Sequence, residues 1–218
     1  MALAIFDLDN TLIANDSDYL WGEFLVDKGY VDADHFREQN AKFYEDYKSG
    51  NLDIFAYQRF ALKPLSQQSM ETLHEWHKQF MQEYIEPIIL PKAQAMVDHH
   101  KNNGDRVMII TATNTFITRP IGERYGITEL LGTEGEIKDG RYTGEVAGTP
   151  TFQHGKVTRL NSWLAENDET LEGSYFYSDS HNDLPLLELV SHPVIVNGDD
   201  KLLEIAKQRD WPLMDMRQ

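Results

Sequence analysis

Hydrophobic and polar positions follow two different patterns along the chain. A short apolar run at 3–8, bounded by polar residues, predicts a fully buried strand. From about residue 16 to residue 85, apolar positions recur at helical spacing, with interruptions at Gly29, Gly50 and Pro64. This block predicts four amphipathic helices, at roughly 17–28, 32–48, 53–62 and 66–84, and it contains no strand pattern.

Beyond residue 90, short apolar runs alternate with helical segments. Strands are predicted at 106–110, 174–177 and 193–196, and Asp139-Gly140 predicts a hairpin within 133–147. Such alternation is typical of an α/β protein with a parallel sheet and helices on both faces. We therefore predict a doubly wound, Rossmann-like core formed by residues 1–13 and 87–218. Residues 14–86 would then be an inserted α-helical cap over the carboxyl ends of the strands.

Composition and charge narrow the possible functions. The 218 residues are 41% hydrophobic and 11% aromatic, which is enough for a substantial core. A net charge of −16 disfavours non-specific binding to nucleic acid or to an anionic membrane. The absence of cysteine excludes disulfides, thiolate nucleophiles and zinc sites built on cysteine. Because neither a signal-peptide pattern nor an apolar run of about 20 residues occurs, we expect a cytoplasmic protein, with its oligomeric state left open.

Polar clusters follow three of the predicted strands. Asp7 and Asp9 end the first strand at spacing i, i+2, so both face the same side. Two crowded carboxylates repel unless a cation lies between them or one takes a proton, which indicates a metal site or an acid/base pair. An acidic turn is the alternative. Residues 111–115 and 179–183 follow two other strands, and ligands of open α/β sheets bind at such strand ends.

The order and context of these residues resemble the haloacid dehalogenase superfamily of phosphohydrolases, and its phosphoserine phosphatase branch in particular. The resemblance covers essentially the whole chain, and its four motifs match Asp7 to Leu12, Thr111, Lys156, and Asp179 to Asp183. It implies hydrolysis of a small phosphorylated metabolite through an aspartyl-phosphate intermediate. Some bacterial phosphatases of this branch act on histidinol phosphate, which is the expected substrate. Phosphoserine or another small metabolite is the alternative, and a non-catalytic phosphate-binding module or transfer to another acceptor stays open.

The resemblance also implies roles for the motif residues. Asp7 is expected to be the nucleophile, and Asp9 the general acid and base. A divalent cation is needed between the anionic phosphate and Asp7, and Mg²⁺ fits oxygen ligands of this kind. The resemblance assigns its ligands as the Asp7 side chain, the Asp9 backbone carbonyl, the Asp179 side chain and, through a water, Asp183.

Phosphate contacts are expected from Thr111, Ala112, Lys156 and Asn182. Thr111 offers a hydroxyl and begins a run of backbone N–H groups at a predicted helix start. The alternatives are that Thr111 or Asn182 simply caps a helix and that Lys156 is a solvated lysine.

Residues of the cap are expected to select the substrate. Counted from the first motif without gaps, Asp16 occupies the place of the glutamate that binds the substrate ammonium in phosphoserine phosphatases. Asp18 is a second candidate for this role. The alternative is that Asp16 is a helix N-cap. Ala61 stands where those enzymes have a carboxylate-binding arginine, and Arg59 is two residues out of register. This favours a substrate with an ammonium and no carboxylate. The aromatic residues expected to face an imidazole ring, or else to pack the cap, are Tyr19, Trp21, Phe55 and Tyr57.

Overall fold

A seven-stranded sheet forms the centre of the computed structural model, which describes residues 2–217. Its strand order is β4-β3-β2-β1-β5-β6-β7, and every neighbouring pair is parallel except β3 and β4. The strands are β1 (Leu3–Phe6), β2 (Arg106–Asn114), β3 (Glu129–Lys138), β4 (Arg141–Ala147), β5 (Tyr175–Ser178), β6 (His192–Val196) and β7 (Leu213–Met214). The predicted α/β fold is confirmed, with the Asp139-Gly140 hairpin supplying the antiparallel edge.

Helices cover the sheet and fill the long segment between β1 and β2. The helices are α1 (Ser17–Asp27), α2 (Ala33–Ser49), α3 (Ile54–Ser66), α4 (Met70–Phe80), α5 (Pro91–Asn102), α6 (Thr115–Arg124), α7 (His154–Asn167), α8 (Leu184–Leu187) and α9 (Asp200–Gln208). Within residues 2–217, no helix has the length and apolar character that a membrane crossing requires.

Two predicted helix ends differ from the structure. Pro64 was expected to end α3, but α3 continues to Ser66 because the proline lies in its last turn. The helix predicted at 66–84 instead begins at Met70, after an N-cap by Ser69, and passes after Phe80 into a π-helical turn, Met81–Ile85.

The two segments that join α1–α4 to the sheet lie side by side. Ile13 and Ile89 form an isolated antiparallel bridge, and the Ala14 N–H donates to the Ile88 carbonyl at 2.9 Å. A boundary near residues 14 and 86 is consistent with this pairing. The division into core and cap stays a prediction.

The hydrophobic core has two parts because strand side chains alternate between the faces of the sheet. Ala4 and Phe6 join one cluster, and Leu3 and Ile5 join the other. The first cluster continues into the helical block, where the Trp21 ring lies 5.2 Å from Phe80 and 5.5 Å from Phe116 of α6, between ring centroids. This apolar contact holds α1 and α4 against the helix that follows β2.

Candidate active site

A cavity of about 500 Å³ lies at the carboxyl ends of β1, β2 and β5, beneath α1–α3. The structure brings together the residues predicted to act in catalysis, to bind the metal or phosphate, or to bind the substrate ammonium. Those lining the cavity are Asp7, Asp9, Asp16, Thr111, Ala112, Lys156, Asp179, Asn182 and Asp183.

A buried ion-pair cluster occupies the floor of this cavity. Lys156 Nζ lies 3.0 Å from Asp7 Oδ1 and 2.7 Å from Asp183 Oδ1. The Ser178 hydroxyl donates to Asp183 Oδ2 at 2.6 Å, which fixes that carboxylate from the other side. Lys156 is only 3% exposed, so the solvated-lysine alternative is wrong. The first turn of α7 thus places a cation against β1, 149 residues away in sequence.

The carboxylates at this end outnumber their cationic partner. Burial raises the pKa of Asp7 to about 7, with Lys156 opposing the rise and Asp183 adding to it. Burial also holds the pKa of Asp179 well above its usual range, and the charges of Asp7 and Asp183 add to that effect. Excess negative charge among oxygen donors is what a hard divalent cation neutralises.

The oxygen donors at this sheet edge fit Mg²⁺ only if groups other than side chains complete its coordination. Within residues 2–217, no three Asp, Glu, His or Cys side chains converge closely enough to enclose a metal by themselves. A site completed by a backbone carbonyl, water and a substrate phosphate does not need three such side chains, and Mg²⁺ typically keeps several waters. Asp7 and Asp179, the carboxylates predicted to bind the metal directly, both line the cavity.

Asp9 faces the same cavity but belongs to a different hydrogen-bond set. Its Oδ1 accepts from the Ser17 N–H at 2.7 Å, and its Oδ2 accepts from the Thr113 hydroxyl at 2.9 Å. Burial, followed by the charge of Asp16, raises the pKa of Asp9 to about 7. A carboxyl group with a pKa near neutrality can both give and take a proton at physiological pH.

Thr111 lies within β2, which extends to Asn114. The expected helix start at Thr111 is therefore wrong, as is the capping alternative, because Asn114 caps α6 by accepting from the Ile117 N–H at 3.3 Å. The pairing of β2 with β3 shifts register between Ile110 and Asn114. The backbone at Thr111 and Ala112 therefore lines the cavity from an irregular strand end.

The C-terminal end of α2 contacts the loop after β5. The Tyr47 hydroxyl donates to Ser180 Oγ at 3.2 Å, and Asn182 Nδ2 donates to the Tyr47 carbonyl at 3.2 Å. Gln153 Nε2 donates to Asn182 Oδ1 at 2.9 Å, which holds the amide in place. These hydrogen bonds join the end of α2 to the loop after β5, and Asn182 takes part in them instead of capping α8.

Sequence reasoning missed several residues that line the cavity. His181 pairs through Nδ1 with Asp199 Oδ2 at 2.7 Å, and its place between Asp179 and Asp183 was a signal that could have included it. Tyr47 carried no such signal, because its role depends on where α2 ends relative to the loop after β5.

The cap residues separate into those that face the cavity and those that do not. Asp16 caps α1, accepting from the Tyr19 N–H at 2.8 Å, and it also lines the cavity. The N-cap interpretation is confirmed, and binding of a substrate ammonium by Asp16 stays a prediction. Tyr19 and Tyr57 also line it. Trp21 is 2% exposed within the apolar core, so the alternative that it packs the cap interior is confirmed.

Two residues of α3 point away from the cavity. Phe55 is 48% exposed, and Arg59 is exposed on the same outward face of the helix. Neither lines the cavity, so the expectation for Phe55 is wrong, and Arg59 is not placed to bind a substrate carboxylate.

The sequence model of the haloacid dehalogenase-like hydrolases matches residues 4–188. The chain belongs to this family, and it is a phosphatase. Histidinol-phosphatase of Neisseria meningitidis serogroup C is 52% identical over 219 residues, covering 99% of both proteins. A crystal structure of a Bordetella pertussis protein of unknown function is 42% identical, with a TM-score of 0.93 and coverage of 99% and 98%. A substrate-bound phosphoserine phosphatase, 18% identical with a TM-score of 0.73, covers 100% of this chain and 94% of its own and supports the fold.

Proposed function

We propose that this phosphatase hydrolyses the phosphomonoester of a small metabolite, with Mg²⁺ and through an aspartyl-phosphate at Asp7. The observation that carries the proposal is the buried contact of Lys156 with Asp7 and Asp183, beside Asp9 and Asp179 at the same sheet edge. The uncatalysed hydrolysis of a phosphate monoester is among the slowest reactions known, and a covalent intermediate divides it into two easier steps.

In the first step, Asp7 attacks phosphorus and the alkoxide leaves. Lys156 fixes the Asp7 carboxylate and offers positive charge to the phosphoryl oxygens. Thr111, Ala112 and Asn182 line the cavity, which supports a role for the Thr111 hydroxyl, the Ala112 N–H and the Asn182 side chain in holding those oxygens. Asp9 protonates the leaving alkoxide and then takes a proton from the water that hydrolyses the intermediate; its pKa of about 7 supports both steps.

Mg²⁺ would be held by the side chains of Asp7 and Asp179, the Asp9 backbone carbonyl and, through water, Asp183. When bound, it supplies positive charge that lets an anionic carboxylate and an anionic phosphate approach each other. The excess of buried carboxylates over cations at this edge supports its presence.

Residues 14–86 act as a cap that opens and closes at the paired segments near residues 14 and 86. The contacts of Tyr47 with Ser180 and Asn182 are those that closure makes. Closure excludes water from the first step and places Asp16 near the substrate.

The preferred substrate is histidinol phosphate. The 52% identical relative is named for that activity, and Arg59 faces away from the cavity, so α3 offers no arginine for a carboxylate. Asp16 would take the substrate ammonium. Phosphoserine is the second candidate, because Lys48 lines the cavity and is able to meet a carboxylate there.

A substrate comparison and one variant test the proposal. We expect kcat/KM for histidinol phosphate to exceed that for phosphoserine and for a sugar phosphate, with Mg²⁺ present. Asp7→Asn should fold and lose essentially all turnover, because the amide is not a nucleophile for phosphorus. Near-normal activity of that variant would refute the mechanism. If the wild-type protein fails to hydrolyse p-nitrophenyl phosphate in the presence of Mg²⁺, a non-catalytic phosphate-binding module is favoured instead.

A further inference from the structure

The turn before α7 contains a residue in a backbone conformation that favours glycine. Gln153, at the N-cap of α7, has φ +48° and ψ −119°. Residues with a Cβ rarely adopt this conformation, because the Cβ crowds the neighbouring peptide groups. Strained backbone of this kind is concentrated at functional sites, where the surrounding structure holds it, so the side chain of Gln153 is a candidate for a role in the adjacent site.

The turn is tightly packed and leads directly into Lys156. The Gly155 N–H donates to the Phe152 carbonyl at 2.7 Å, and the Lys156 N–H donates to the Gln153 carbonyl at 3.0 Å. A Cβ added at Gly155 would lie 2.0 Å from the Pro150 carbonyl oxygen, so the chain passes Pro150 at a distance that only glycine allows. These contacts hold Gln153 in its strained conformation and fix the direction in which its side chain leaves the turn.

The Gln153 side chain contacts the amide of Asn182. Gln153 Nε2 donates to Asn182 Oδ1 at 2.9 Å, and Asn182 Nδ2 donates to the Tyr47 carbonyl at 3.2 Å. A carbonyl oxygen only accepts hydrogen bonds, so the Tyr47 carbonyl identifies the nitrogen end of the Asn182 amide, and the Gln153 donor meets the oxygen end. Asn182 is 4% exposed and lines the cavity. Its amide is thus held at both ends.

The orientation of this amide decides whether it attracts or repels a phosphate. Phosphoryl oxygens are acceptors and need the Nδ2 donor, whereas a rotated amide would present Oδ1 to them. Nδ2 carries two N–H bonds, and the Tyr47 carbonyl takes one, so the other can donate to a phosphoryl oxygen. Rotation would set Oδ1 of Asn182 against the Tyr47 carbonyl and Nδ2 against the Gln153 donor. Both partners therefore stabilise the orientation that suits phosphate.

We propose that Gln153 is a positioning residue, which holds the amide of Asn182 with its nitrogen available to the substrate phosphate. The inference rests on the proposed phosphatase function and adds a residue that acts on the phosphate only through Asn182. The effect of removing the Gln153 side chain should therefore depend on the presence of Asn182.

A double-mutant cycle on the hydrolysis of p-nitrophenyl phosphate with Mg²⁺ tests this dependence. Gln153→Met keeps the length of the side chain and removes its donor, which should lower kcat/KM by about 10-fold. Asn182→Ala should lower kcat/KM at least as much, and adding Gln153→Met to Asn182→Ala should change it by less than about 2-fold. An unchanged kcat/KM in Gln153→Met, or losses that multiply in the double variant, would overturn the inference.

A glycine variant separates the side chain from the strained backbone. Gln153→Gly removes the same hydrogen bond but relieves the backbone, so it should share the kcat/KM of Gln153→Met and melt at least about 2 °C above it. Asp168→Gly, at φ +53° on an exposed residue at the other end of α7, is the matched control and should keep the wild-type kcat/KM. Wild-type kcat/KM in Gln153→Gly would show that the side chain has no positioning role.

A binding measurement distinguishes failure of this inference from failure of the proposed function. If the wild type does not hydrolyse p-nitrophenyl phosphate, the proposed function fails, and the same cycle is measured as the affinity for inorganic phosphate by calorimetry. Coupled losses of affinity would then support the role of Gln153 at a phosphate-binding site, and independent losses would overturn it. A wild type that neither hydrolyses p-nitrophenyl phosphate nor binds inorganic phosphate would overturn both.

Discussion

Replacing Lys156 by methionine should destabilise the protein strongly. Methionine has a similar length, but it leaves the carboxylates of Asp7 and Asp183 buried without their cation, at side-chain exposures of 7% and 3%. Removing one partner of a buried ion pair costs about 3–5 kcal/mol, because the remaining charge is desolvated and unpaired. We therefore expect the free energy of unfolding to fall by about 3–5 kcal/mol at pH 8, which is a large share of a typical total of roughly 5–15 kcal/mol.

The loss should depend on pH in a defined direction. Burial raises the pKa of Asp7 to about 7, and the charge of Lys156 works against that rise. Without Lys156, the pKa of Asp7 rises further above its unfolded-state value, so the folded state binds a proton more tightly than the unfolded state. The penalty should therefore grow from pH 5, where Asp7 carries a proton in the folded state, to pH 8, where either holding that proton or ionising Asp7 without its cation costs free energy.

Urea unfolding of the metal-free protein at pH 5 and pH 8 measures both effects. Lys28→Met is the matched control, because the ammonium of Lys28 pairs with Glu83 at 2.8 Å on the surface, with exposures of 29% and 47%. That variant should lose less than about 1 kcal/mol at either pH. If Lys156→Met differs from the wild type by no more than the control, or if its penalty does not change with pH, the buried cluster is not organised by Lys156.

Three further predictions concern the metal, the closed cap and Asp18. Chelation should abolish turnover, and added Mg²⁺ should both restore it and raise the melting temperature; a temperature unaffected by Mg²⁺ would count against the metal site. Gly50→Ala, at φ +80°, would place a Cβ 3.3 Å from His181 Nε2 and should lower kcat/KM. Gly29→Ala, at φ +71° with no neighbour within 4 Å, is the control and should lower kcat/KM less. Equal losses in the two variants would mean that backbone strain alone accounts for the effect. Burial raises the pKa of Asp18 from 3.8 to about 7, so this group destabilises the folded protein as pH rises. In urea unfolding of the metal-free protein, the free energy of unfolding of Asp18→Asn relative to the wild type should therefore rise by up to about 3 kcal/mol between pH 5 and pH 8. Parallel pH profiles of the two proteins would contradict the prediction.

The strand ends could be predicted from the sequence because their signals are local. A buried strand shows as a short apolar run, and parallel strands place their carboxyl ends at one edge of a sheet. Asp7, Thr111 and Asp179 follow such runs and were expected to meet, as they do. The family resemblance added Lys156, which no local pattern distinguishes from a surface lysine.

The cap could be predicted only as a set of helices. Which face of α3 turns inward depends on how the helix packs, and Gln58 and Leu62 are fully buried while Phe55 and Arg59 point outward. The sequence does not show which side of α3 faces inward. A prediction of inward-facing residues from aromatic type alone therefore included Phe55 and missed Gln58. The contact of Tyr47 with Ser180 joins residues 133 positions apart, so it depends on how α2 packs against the loop after β5.

The charges of the cavity limit what can enter it. Within residues 2–217, eight aspartates but only four cationic side chains line the cavity, and the one cation at its floor, Lys156, is already paired. A phosphate dianion that brings no positive charge meets net repulsion, which a bound metal relieves only near the phosphate. A substrate with basic groups at its far end can place them against Asp16 and Asp18, so its own charge relieves the repulsion at the cap side. Preference for an amine-bearing phosphate over a sugar phosphate should therefore be partly electrostatic and should narrow as the salt concentration rises.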